Sequence, residues 1–220
     1  MISYKQRRKN LEDARSLVAY YHQDSKIAEQ YRKVYASLKF SSANKARQTL
    51  VITSPGYKEG KTTTVVNLGA SIAQLGEKVL LVDADLKKPT MHQIFKIENH
   101  IGLTNVLSGK NTFREAIQET SMGTMDILTS GFTPINSAKL LGSPAMKALM
   151  RNVQEAYDIV LFDTPPFIEV VDANILANQC DGVLLVARDG KTKADKVIET
   201  KQLLELSGTS VVGSILNDHA

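Results

Sequence analysis

Short apolar runs punctuate the chain at regular intervals: "TLVIT" at 49–53, "KVLLVD" at 78–83, "MDILT" at 125–129, "DIVLFD" at 158–163, "GVLLVA" at 182–187 and "VVGSIL" at 211–216. Each is too short for a helix and lacks the apolar/polar alternation of a half-exposed strand, so each predicts a strand buried on both faces. The segments between them, such as Thr62–Leu75 and Ala194–Leu206, space their apolar residues by three and four, which predicts crossover helices. Strand and helix in alternation give an α/β fold: a mostly parallel sheet with helices on both faces. Ahead of the first strand, "SKIAEQYRKVYASLKF" puts Ile27, Tyr31, Val34 and Leu38 on one helical face and predicts an extra N-terminal helix. Residues 1–24 have little periodicity and read as a polar arm, with 25–220 as a single domain.

At 220 residues, 43% of them hydrophobic, the chain can bury one substantial core. Its single cysteine, Cys180, cannot form an internal disulfide, and no apolar run reaches the roughly 18 residues of a membrane span, so a cytoplasmic location is expected. A net charge of +4 without an aromatic or Arg-rich strip gives no case for nucleic acid. Two basic clusters stand out. "KQRRK" at 5–9 is either a solvated arm or a contact for an anionic membrane or acidic partner. "RDGKTKADK" at 188–196 follows a strand, at the edge where α/β sheets hold ligands.

The chemistry concentrates in "VITSPGYKEGKTTT", Val51–Thr64. A strand that ends in a Gly-rich turn and opens a helix gathers backbone N–H groups and the positive end of a helix dipole at one point, which suits a phosphate chain. The turn comprises Gly56, Tyr57, Lys58, Glu59, Gly60, Lys61, Thr62 and Thr63. Gly60 permits close approach, Lys61 reaches the outer phosphates and the Thr62 hydroxyl is placed for Mg²⁺. The general pattern asks for Gly at position 55, where this chain has Pro55. Two further motifs, "LLVDADLKKPT" (80–90) and "IVLFDTPP" (159–166), set Asp83, Asp85 and Asp163 at strand ends, on the same edge if the strands are parallel. A lone Asp there is often just a helix cap. Three of them behind a phosphate loop predict a Mg²⁺–phosphate site in which Asp85 and Asp163 join Thr62 around the metal, Lys61 stabilises charge on the transferred phosphoryl group and Asp83 accepts the proton. Order along the strand leaves the division between Asp83 and Asp85 open.

Taken together, "EGKTTT", "LLVDADLKKPT", "GLTNVLSG" (102–109), "LTSG" (128–131) with Asn136 and Leu140–Leu141, "FDTPP" and the closing "GSILN" resemble the bacterial tyrosine kinases of capsule and exopolysaccharide operons. The resemblance spans Ser25–Asn217. It implies the deviant phosphate-loop ATPase fold and γ-phosphoryl transfer from Mg·ATP to protein tyrosine. It also implies adenine contact by Asn217 and ring-forming contacts through Glu29, Tyr31 and Arg32 of an E-x-Y-R motif. The expected partners are tyrosine-bearing substrates, neighbouring copies in a head-to-tail oligomer, a separate membrane-anchored activator that recruits the chain to the inner face of the plasma membrane, and an opposing tyrosine phosphatase. Where the family usually has Arg the chain has Lys87, and its last tyrosine is Tyr157, whereas relatives usually carry a tyrosine-rich tail. Self-labelling is therefore expected only at N-terminal tyrosines such as Tyr4, Tyr20 or Tyr21. The alternatives are a partitioning-type ATPase switch, whose second loop residue is typically Lys where this chain has Gly56, and a nucleotide-dependent scaffold without kinase activity.

Overall fold

The computed structural model describes residues 17–40 and 48–218. Seven strands, β1 (Thr49–Thr53), β2 (Val79–Asp83), β3 (Ile117–Glu119), β4 (Met125–Leu128), β5 (Ile159–Asp163), β6 (Gly182–Arg188) and β7 (Val211–Asn217), form one sheet in the order β3-β4-β2-β5-β1-β6-β7. Every pairing is parallel except that of β3 with β4. The six expected strands are all present, ending within a residue or so of the apolar runs. β3 was not anticipated: it is three residues at the sheet's edge, directly after a helical turn, too short and too exposed to print a pattern.

The helices are α1 (Val18–Tyr21), α2 (Lys26–Phe40), α3 (Lys61–Ala73), α4 (Met91–Phe95), α5 (Leu103–Leu107), α6 (Phe113–Ala116), α7 (Ser137–Leu141), α8 (Pro144–Ala156), α9 (Val171–Ala177) and α10 (Ala194–Leu206). They cover both faces, because side chains of a strand point alternately up and down. Leu50 and Ile52 of β1 join the core beneath α2 and α3, while Val51 joins the opposite core beneath α5, α8 and α9. β1, β2 and β5 are buried at every position, the state that their unbroken apolar runs require.

The extra N-terminal helix exists as α2 and lies along α3, with Tyr31, Val34 and Leu38 turned to the core and Ile27 more exposed. Packing begins earlier than Ser25: Leu17 and Ala19 are buried, the Ala19 N–H donates to Asn67 Oδ1 (2.7 Å), and the Gln74 amide donates to the Ala19 carbonyl (2.6 Å). The basic cluster at 5–9 and Tyr4 lie outside the described residues.

Close backbone approach fixes the loop beyond β4. The Leu103 and Thr104 N–H groups donate to the Thr129 and Ser130 carbonyls at 2.7 and 2.9 Å, and a Cβ on Gly102 would lie 2.3 Å from the Thr129 oxygen and 2.4 Å from the Gly131 nitrogen. Both obstacles are backbone and cannot rotate away. Gly102→Ala is therefore expected to destabilise the protein by about 1–3 kcal/mol. In urea unfolding the midpoint should fall with the slope unchanged, and an unaltered midpoint would show that this approach is not tight.

Candidate active site

β1, β2 and β5 are neighbours and parallel, so their carboxyl ends open on one edge, and Asp83 of β2 stands in register beside Asp163 of β5. The phosphate loop leaves β1 on that edge and enters α3 at Lys61. Gly60 has φ +96°, in the left-handed region, so its conformation favours glycine, and a Cβ there would come within 2.0 Å of Asn217 Nδ2 and push that amide aside. Pro55 is accommodated because the left-handed residues of the loop are Lys58 and Gly60, away from the position where the general pattern has glycine.

Lys61 is buried, and its ammonium donates to Ser54 Oγ (3.1 Å). Burial lowers its pKa, against the opposing pull of Asp163, Asp85 and Glu59. The Thr62 hydroxyl donates to Asp163 Oδ2 (2.5 Å) and lies 3.1 Å from the Thr90 hydroxyl. Asp83 is fully buried, and its Oδ2 accepts the N–H groups of Thr90 and Met91 at 3.1 and 3.0 Å. Asp85 accepts the Lys88 N–H (3.0 Å) and, unlike Asp83, lines an open cleft of about 390 Å³ together with Lys61, Thr62, Lys88 and Thr90.

The electrostatics of the buried pair are strained. Desolvation, with Asp163 close by, holds the Asp83 carboxyl well above its ordinary range. Desolvation likewise pushes Asp163 up to about 7, although the Thr62 hydroxyl and the Lys61 charge pull it down. Each carboxylate keeps one oxygen, Oδ1, buried without a partner. The orphaned Asp163 oxygen, beside the half-buried Thr62 hydroxyl, fits a hard divalent cation. Among the described residues no three His, Cys, Asp or Glu side chains form a cage of their own. Mg²⁺ suits such a site, because it is typically held by one or two carboxylates with water and substrate phosphates making up the rest.

The loop is secured from behind by parts of the chain 130 to 158 residues away. Glu59, buried, accepts the Gly56 N–H (3.0 Å) and the Thr192 hydroxyl (2.7 Å). The Arg188 guanidinium donates to the Lys58 carbonyl (3.3 Å), the Lys191 ammonium to the Tyr57 carbonyl, and the Asn217 amide to the Glu59 carbonyl (3.2 Å). The basic cluster after β6 thus folds onto the phosphate loop at its start. Ser54, Thr90 and Thr192 were not singled out in the sequence; nothing in their spacing marks them.

A larger groove of about 800 Å³ lies between α2 and the end of β7, lined by Tyr31, Lys58, Gly60, Thr63, Arg188 and Asn217 among others. Tyr31 faces its own domain, and burial raises the pKa of its phenol. Arg32 points elsewhere, pairing with Glu29 at 2.9 Å and donating to the Gln23 carbonyl at 3.0 Å. Tyr20 packs on Phe95 and its hydroxyl bonds the Ser121 hydroxyl, whereas Tyr21 is exposed. The Tyr157 hydroxyl donates to Asp126 (2.8 Å).

Known proteins resemble the chain in sequence and fold. Residues 56–200 match the AAA domain family. The chain is 42% identical over 203 residues to tyrosine-protein kinase YwqD of Bacillus subtilis (strain 168), covering 92% of this chain and 86% of that one. The kinase domain of the Escherichia coli tyrosine kinase ETK superposes with a TM-score of 0.88 at 35% identity, over 92% of this chain and 79% of that domain. The crystal structure of the chimerical protein CapA2B2 matches with the same TM-score at 34% identity, over 92% and 89%.

The raised pKa of Asp163 has a stability consequence. An unfolded Asp releases its proton near 3.8, whereas the folded protein holds it until about 7. Between those values the folded state binds more protons, so without metal its stability falls as pH rises, by about 1.4 kcal/mol per pH unit for one proton. Asp163→Asn removes that ionisation. Thermal melts in chelator should show the variant gaining on the parent from pH 4 to 7 and levelling off above, with Mg²⁺ restoring only the parent. A difference independent of pH would contradict the assignment.

Proposed function

The chain belongs to the bacterial tyrosine-protein kinases, and on that premise we propose how its own residues carry γ-phosphoryl transfer from Mg·ATP to protein tyrosine. The observation that supports this reading most is the meeting of Lys61, Thr62, Asp85 and the partly unsatisfied pair Asp83–Asp163 at one sheet edge, beside loop amides at a helix N-terminus. The triphosphate would lie along Gly56–Thr63, with the adenine in the groove that holds Asn217. Thr62, Asp163 and Asp85 would hold Mg²⁺, which when bound neutralises charge on the phosphates.

Lys61 acts on the charge that develops on the moving phosphoryl group, and its burial keeps water from screening it. A carboxylate of the Asp83/Asp85 pair accepts the acceptor tyrosine's proton. Our assignment is Asp83, the first acid at the exit of β2, whose buried Oδ1 has no partner of its own. Asp85, on the open cleft, then faces the metal and the incoming substrate.

Assembly and location follow from the same premise. Glu29, Tyr31 and Arg32 would build a head-to-tail ring, with the partly exposed Arg32–Glu29 pair opening or being shared across the contact. No described helix is long and apolar enough to cross a membrane. A cytoplasmic kinase brought to the membrane by a separate activator, serving capsule or exopolysaccharide synthesis and opposed by a phosphatase, is the role we infer.

Incubation with γ-labelled ATP, Mg²⁺ and a tyrosine-bearing acceptor tests the assignment. Lys61→Met should lower transfer by about 10²–10³-fold or more with the fold intact by circular dichroism. Asp83→Asn and Asp163→Asn should each be at least as damaging, since an amide neither takes a proton nor balances Mg²⁺. Unchanged turnover in Lys61→Met would remove the phosphate-loop reading, and damage confined to Asp85→Asn would reverse the roles of Asp83 and Asp85.

A further inference from the structure

Tyr57 sits in the phosphate loop, and its ring lies beneath two ammonium groups. Lys88 Nζ is 4.0 Å from the ring centroid and Lys61 Nζ is 6.0 Å from it. Lys88 comes from a different element, the loop that follows β2, whose course is fixed where the Lys88 N–H donates to Asp85 Oδ1 (3.0 Å). Its side chain is exposed, and among the described residues no carboxylate forms an ion pair with it. A lysine this free ordinarily extends into water. Here the ring holds it over the cleft that contains Lys61, Thr62 and Asp85.

The two cavities show which end of a nucleotide this is. Both share Lys58, Gly60 and Thr63 of the loop, but one continues to Asn217 and Ile27 and the other to Asp85, Lys88 and Thr90. If the base lies in the first, the second receives the outermost phosphate. We propose that Lys88 is a further catalytic residue that contacts the outermost phosphoryl group, and that Tyr57 is a positioning residue whose ring holds Lys88 ready for it. This rests on the kinase reading above and extends it to residues outside the phosphate-loop lysine and the three aspartates.

The physical case is a competition between two partners for one ammonium. A solvent-exposed ammonium such as that of Lys88 is held weakly over an aromatic face, whereas a charge-assisted hydrogen bond to a phosphate oxygen is among the strong ones. Arrival of the phosphoryl group therefore draws Lys88 off the ring through a movement within its own side chain. Holding it there beforehand removes part of the rotamer entropy that a free lysine would lose on binding. The ring's hydroxyl has no part in this, so the aromatic face is the requirement.

Calorimetric titration of the full chain with Mg·ADP and with the Mg complex of the β,γ-imido analogue of ATP separates the outer phosphate from the rest. Lys88→Ala should weaken the imido analogue about tenfold and ADP less than about twofold, with Lys88→Arg recovering most of the loss. Tyr57→Leu should reduce the preference for the analogue over ADP, and Tyr57→Phe should restore it. Equal weakening of both nucleotides, no weakening of either, or Phe as damaging as Leu at position 57 would overturn the inference. If the parent chain binds neither nucleotide, the kinase reading itself fails, and the inference with it.

Discussion

Two aspartates that stand side by side on neighbouring parallel strands, both out of water, set the terms for the rest of this structure. Asp83 and Asp163 are register partners at the ends of β2 and β5, where adjacent strands run about 5 Å apart. Two carboxylates so placed cannot both ionise cheaply. The protein meets part of the cost locally: the turn into α4 supplies the Thr90 and Met91 N–H groups to Asp83, and the first turn of α3 supplies the Thr62 hydroxyl to Asp163. One oxygen of each remains unsatisfied: on the roles proposed above, a divalent cation would complete that of Asp163 and the acceptor tyrosine's proton that of Asp83. Stability given up here is what a site prepared for charge requires.

The phosphate loop depends on the same sheet edge for its shape. Its carbonyls at Tyr57, Lys58 and Glu59 are taken by Lys191, Arg188 and Asn217, and its one buried acid, Glu59, is shared between Gly56 and Thr192. With the carbonyls held by the ends of β6 and β7, the loop's conformation is fixed before any phosphate arrives. That is preorganisation in the sense that matters for phosphoryl transfer, where positioning and charge neutralisation supply most of the rate.

Much of this was legible in the sequence because the central strands are covered on both faces, so burial writes itself as unbroken apolar runs with an acid at the exit. "VLLVD" and "IVLFD" announce both the strand and its functional residue. The edge strand β3 and the short α1 left no such mark: the first is half-exposed, and the second is a single turn of four residues of which only Ala19 is buried. At the site, the motifs pointed to the loop, Thr62 and the three acids, and the structure brings Thr62 and Asp163 into contact. What stayed illegible was contact at long sequence separation. Thr192 meets Glu59 across 133 residues and Lys88 reaches the ring of Tyr57 from another loop, and no local spacing encodes either. Burial also separates Asp83 from Asp85 in a way their spacing could not, sealing the first and leaving the second on the cleft.

The central claim, that the buried Asp163 waits for a cation in company with phosphate, is tested most directly by counting the protons released when Mg·ADP binds. Titration calorimetry at pH 6.5 in buffers of different ionisation enthalpy gives that number without turnover. A carboxyl with a pKa of about 7 is largely protonated at pH 6.5, so about three-quarters of a proton should leave on binding, and the release should fade by about pH 8.5. Binding with no proton released at pH 6.5, or with the same release at both pH values, would contradict the account.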